Sequence, residues 1–147
     1  MRAPRECLVD ALLGQLRLSE RLEFVVRLLG GSFAVGGISA GASENVIALD
    51  RHLEELWDDI EEACRQAKTY EMNPGPDDPD WVRPLRQILD RVDYWRWTVD
   101  GMARRCAQGA DLPTAVALLS PLLLLTQESV AWKFTLESVA AEVGNGR

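Results

Sequence analysis

Between Val46 and Ala67 the apolar residues Val46, Leu49, Leu53, Leu56, Ile60, Ala63 and Ala67 recur alternately three and four positions apart. A 3.5-residue period returns all of them to one side of an α-helix. The positions between them carry Asp50, Glu54, Glu55, Asp58, Asp59, Glu61 and Glu62. A helix with one apolar stripe and one charged side must lay that stripe against other helices. The stretch therefore commits the chain to helix-on-helix packing.

The other segments supply the partners. In "ECLVDALLGQL" the apolar positions are Leu8, Val9, Leu12, Leu13 and Leu16. Ser19 reads as an N-cap for a second segment with the stripe Leu22, Val25, Val26 and Leu29, ended by Gly30 and Gly31, although the two segments also suit one bent helix. The helix that holds Val46 to Ala67 starts near Ser43. "NPGPDDPD", Asn73 to Asp80, puts three prolines, one glycine and three aspartates into eight residues, which marks a loop. From about Asp80 to Gln108 runs the stripe Trp81, Leu85, Ile88, Val92, Trp95, Val99, Met102 and Cys106. A final helix opens near Leu112 with the stripe Leu118, Leu122, Leu125, Ser129, Trp132, Leu136, Val139 and Val143. Leu119, Leu123, Val130 and Phe134 add a second apolar row. Apolar over so much of its circumference, this helix is expected to lie centrally and to kink at Pro121. The pattern predicts an all-α antiparallel bundle of four to five helices. It forms one domain over 1–147, with a Gly-rich loop at 30–43 and a Pro/Asp-rich loop at 73–80.

Charge narrows the partners. The net charge is -7 and the pI about 4.7, which disfavours a nucleic acid or an anionic membrane and suits a basic protein. The most apolar run, Ala115 to Thr126, is shorter than a bilayer span and holds Pro121, and the N-terminus has no signal-peptide core. Cys7, Cys64 and Cys106 are far apart and lie on or beside apolar stripes, so they read as buried thiols of a reducing, cytoplasmic compartment. Fourteen arginines against two lysines, with abundant Ala, Gly and Leu, suit a bacterial genome of high GC content.

Chemical motifs are few. Gly31 and Gly36 have the glycine spacing of a phosphate loop, but no lysine stands between Met1 and Ala67, and "GGISAG" lacks a dinucleotide fingerprint. His52, the single histidine, follows Arg51 on the polar side of its helix, where surface exposure is expected. It excludes the paired Glu-x-x-His of a ferritin-like site. The carboxylates offer more. "ELWD", Glu55 to Asp58, and "DRVD", Asp90 to Asp93, place acids three apart on two helices, and such pairs can hold a hard cation. They resemble the E-x-x-E and E-x-x-D motifs of the all-α nucleotide pyrophosphatases, with aspartates at Asp58 and Asp90 where that family has glutamates. The resemblance implies Mg²⁺ held by Glu55, Asp58, Asp90 and Asp93 around a nucleoside triphosphate. A solvated helix face accounts for the same residues without a metal.

In "DYWRWTVDG" Trp95 belongs to the core stripe, whereas Tyr94 and Trp97 project together on another face, which either a fifth helix buries or a protein partner meets, since aromatic residues anchor interfaces. The leading expectation is a non-catalytic protein-interaction module: an adaptor, regulator, inhibitor or immunity-type protein, with no cofactor. It would bind a basic protein, or itself, through Tyr94, Trp97, Asp50, Glu54, Asp58 and Asp59. The alternative is the Mg²⁺-dependent hydrolase.

Overall fold

A computed structural model of the chain describes residues 2–35, 40–70, 79–108 and 112–145. These form four helices and no strand: α1 (Pro4–Val35), α2 (Ala40–Tyr70), α3 (Val82–Gln108) and α4 (Leu112–Asn145). The all-α bundle is as the periodicity predicts. Prolines sit where a helix tolerates them, Pro4 at the first position of α1 and Pro84 and Pro113 in the first turns of α3 and α4. α4 continues through Pro121.

Each helix packs on its neighbours in the order α1, α2, α3, α4 and back to α1, and among the described residues the diagonal pairs do not approach backbone to backbone. The α3–α4 seam is much the thinnest. Polar contacts fix the directions. Arg2 at the start of α1 meets Asp59 and Glu62 near the end of α2, and Arg21 further along α1 meets Asn45 near the start of α2. Gln15 meets Ser129 across the α1–α4 seam. The connections of eleven residues before α3 and three before α4 are too short to run back along a helix of about 40 Å, so sequence neighbours are antiparallel throughout and α4 runs opposite to α1.

The stripes of α2, α3 and α4 form the core. Val46, Leu49, Leu53, Leu56, Ile60, Ala63 and Ala67 are all buried. So are Leu85, Val92, Trp95 and Val99 of α3, and Leu118, Leu122, Leu125, Ser129 and Leu136 of α4. Trp81 and Val143 are half-buried at the edges.

Several expectations are corrected. Ser19 caps nothing: it lies inside one continuous α1 and accepts a hydrogen bond from Gln15 at 2.8 Å. Gly30 and Gly31 do not end the helix, which reaches Val35, because glycine weakens a helix by only about 1 kcal/mol per residue and does not forbid it. α2 opens at Ala40, ahead of Ser43, so most of the expected loop 30–43 is helical and residues 36–39 lie outside the described residues. Most of the 73–80 loop lies outside them too. The core stripe of α1 is Leu8, Ala11, Gln15, Leu18, Leu22, Val25 and Leu29, and Val9, Leu13 and Leu16 are exposed. The last helix is not central. It flanks α1 and α3 and leaves Val116, Leu123, Leu124, Val130 and Phe134 exposed.

Candidate functional site

Tyr94 and Trp97 stand on the outside of α3, and no further helix covers them among the described residues. Trp97 is 82% exposed and Tyr94 51%. The residue between the two on the helix path, Trp95, is buried, and its ring meets that of Tyr94 edge-on at 5.3 Å and 83°. The indole Nε1 of Trp95 donates to the Glu128 carboxylate of α4. Arg91 donates to the same carboxylate from Nε at 2.9 Å and from its terminal nitrogen at 2.6 Å. Its guanidinium carbon also lies 4.6 Å from the centre of the Tyr94 ring, a cation–π contact. Tyr94 is therefore held on two sides, by a buried indole and by an arginine anchored to the neighbouring helix. Trp97 projects freely beside it. Such a patch is partly ordered before any partner arrives, which lowers the entropy lost on binding.

The carboxylates of α2 divide between two flanks. On the α3 flank Arg96 reaches Asp50 at 3.5 Å and Glu54 at 3.8 Å. On the α1 flank Arg2 pairs with Asp59 at 3.1 Å and also with Asp10 and Glu62. Hydrogen bonds to Glu62 and then Asp10 hold the Arg2 guanidinium above its usual range. Burial pushes the Asp59 carboxyl up, and Arg2 opposes that shift. Arg2, Asp10, Leu13, Arg17, Glu55, Asp58 and Asp59 line an open groove of about 390 Å³ between the two helices. Positive and negative groups share its walls, so it selects no single sign of ligand.

Glu55 and Asp58 thus look toward α1, while Asp90 and Asp93 are exposed on α3. The four acids of the metal reading are not brought together. Among the described residues, no group of three or more His, Cys, Asp or Glu side chains is placed to hold a metal ion.

His52 is half-buried at the α1–α2 seam, not on the surface where its neighbours in sequence suggest. Arg21 Nε lies 3.4 Å from its Nε2. Burial, then the Arg21 charge, lowers its pKa. Cys7, Cys64 and Cys106 are buried and form no disulfide, as their stripes imply. Burial raises the pKa of Cys7 and Cys106, which leaves both thiols protonated and weakly nucleophilic.

Sequence reasoning missed the apolar surface of α1 and α4. Val9, Leu13 and Leu16 and the second row on α4 carried the signal but were assigned to the core. By length and composition Pro113–Val143 suffices to cross a membrane, yet only 28% of its most apolar window is buried in the bundle. Comparison with protein-family models, with curated proteins and with solved structures finds no match for this chain.

Proposed function

We propose that the chain is a non-catalytic cytoplasmic protein-interaction module, an adaptor, regulator or inhibitor, that presents Tyr94 and Trp97 of α3 to a protein partner. One observation carries this reading: a tryptophan 82% exposed beside a tyrosine braced by Arg91 and Trp95. Exposed aromatics next to an arginine are the side chains that dominate binding energy at protein interfaces. The acidic face contributes less than its composition suggests, because Arg96 and Arg2 already engage Asp50, Glu54 and Asp59. Asp58 stays exposed at the rim of the α1–α2 groove. A net charge of -7 still steers a basic partner toward the module and makes association slow as salt rises.

The test is a photo-crosslinker placed at position 93, beside the patch, followed by titration of the captured partner against purified protein. Trp97→Ala and Tyr94→Ala should each weaken binding at least about tenfold, the size of a typical anchor loss. Binding that ignores both substitutions would refute the assignment of this surface. Mg²⁺-dependent release of pyrophosphate from nucleoside triphosphates, abolished by Asp93→Asn with the fold intact, would refute the non-catalytic reading itself.

A further inference from the structure

The outer face shared by α1 and α4 is apolar along most of its length. Val9 and Leu16 on α1 and Leu123 and Val130 on α4 are about half exposed, and Phe134 is 66% exposed. Both rows border the same seam. On α1 the flank of Gly14 and Arg21 faces α2, toward Leu56 and Asn45, so Leu12, Ser19 and Val26 edge the α4 side, with Val9 and Leu16 just outside them. On α4 Glu128 faces α3, so Leu119, Thr126 and Lys133 edge the α1 side, with Leu123 and Val130 just outside. Leu12, Val26 and Leu119 are half-buried against the core.

We propose that this face binds a second copy of the chain in a two-fold dimer, α1 antiparallel on α1 and α4 antiparallel on α4. A two-fold contact is isologous: wherever one residue meets a second on the other copy, the second meets the first. On α4 Leu123 and Val130 are symmetric about the point midway between Thr126 and Gln127, and so are Leu119 and Phe134. On α1 Val9 and Val26 are symmetric about the point midway between Arg17 and Leu18. The two midpoints also coincide in space. Gln15 lies as far before its midpoint as Ser129 lies after its own, the helices are antiparallel, and Gln15 Nε2 donates to the Ser129 carbonyl at 2.9 Å. One axis therefore serves both helices. It sets Leu123 on Val130 of the other copy and brings Leu119 level with Phe134, Val9 with Val26, Leu16 with Ser19 and Leu12 with Glu23.

Size and charge agree with this occupant. At 1.5 Å per residue the rows run about 27 Å along two helices, each about 10 Å wide. With flanking polar side chains that approaches the roughly 800 Å² per partner of a standard stable interface. The same axis brings Lys133, at one end of the face, level with Glu23 of the other copy. Glu20, Glu23 and Glu137 border the face against Arg27 and Lys133, whereas a helix face that lies on lipid is bordered by basic residues. The surface is distinct from the α3 patch, so neither stands or falls with the other.

Sedimentation velocity of the intact chain across the micromolar range tests the dimer. The wild type should sediment as a dimer, and Leu123→Glu should raise the dimer dissociation constant at least about thirtyfold. Leu123 is exposed, so the fold should persist, as circular dichroism would verify. Lys133→Glu and Glu23→Lys should each weaken association about tenfold, and the double exchange should restore it. Trp97→Ala should leave it unchanged. A wild-type monomer throughout the range, including one that sediments with phosphatidylcholine vesicles, would overturn the proposal, as would a dimer indifferent to Leu123→Glu.

Discussion

Glu128 is the carboxylate on which the thin α3–α4 seam depends, and its removal allows a quantitative test. It accepts from the buried Trp95 indole and from two nitrogens of Arg91. Glu128→Ala leaves the indole N–H of a residue 1% exposed with no acceptor. An unsatisfied buried donor costs about 1–3 kcal/mol. The ion pair with Arg91 adds no more than about 1 kcal/mol, because both side chains are partly solvated. The sum is about 1–4 kcal/mol, and its middle corresponds to a fall in Tm of roughly 8 °C for a chain of this size. Glu128→Gln keeps an acceptor for the indole and loses only the charge, so its cost should be about 1 kcal/mol. Urea denaturation followed by far-UV circular dichroism measures both. A double-mutant cycle with Trp95→Phe, which deletes the donor, should give a coupling of about 1 kcal/mol or more. Equal losses for Glu128→Gln and Glu128→Ala, or no coupling to Trp95, would refute the assignment of the seam to this hydrogen bond.

Two further outcomes follow from local geometry. A Cβ added at Gly101 meets nothing within 4 Å, and one added at Gly14 meets only Leu56 at 4.0 Å, so Gly101→Ala and Gly14→Ala should each stabilise by up to about 1 kcal/mol through helix propensity, measured as an upward shift in the urea midpoint. A loss at Gly14 alone would show α1 and α2 to be closer than described. His52 is held neutral by burial and by Arg21, so its folded pKa lies below 6.5. The unfolded chain then binds the proton first, and stability should fall as pH drops below 6.5 toward the folded pKa, where the decline ends. His52→Gln should flatten that part of the stability–pH curve, and an unchanged slope would contradict the burial of this residue.

The helices differ in how much of them could be read from sequence. α2 and α3 each have one apolar stripe and one charged side, so periodicity alone picks out Leu53, Leu56, Ile60, Leu85, Val92 and Val99 as core, and all are buried. α1 and α4 are apolar on two sides. Period then identifies a helix but not which side faces inward. On α1 the polar residue Gln15 occupies a core position because it finds Ser129 and Ser19 as partners, while Val9, Leu13 and Leu16 stay outside. Local punctuation failed for a related reason. Ser19 weakens a helix by less than about 1 kcal/mol, which the burial of Leu18 and Leu22 on either side of it exceeds, and Gly30 and Gly31 tolerate the helical conformation at about 1 kcal/mol each. At the candidate site the sequence placed Tyr94 and Trp97 off the Trp95 stripe, but their exposure was decided by the absence of a fifth helix over α3 among the described residues. The separate fates of Asp50 and Asp58 were not legible, since the arginines that decide them, Arg96 and Arg2, come from other helices.

The two surfaces have a joint consequence that neither has alone. α3 lies diagonally across the bundle from α1, and Trp97 projects from its outer side, away from the face shared by α1 and α4. Dimerisation through that face therefore leaves both aromatic patches open and presents them as a pair. A partner with two matching sites would be held by two such contacts, the second made at the high effective concentration set by the dimer. A module whose single patch binds weakly would then gain affinity from a helix face that never touches the partner. Selection on such a module would act on α1 and α4 as strongly as on α3. That accounts for an apolar row on α4 that the core does not use.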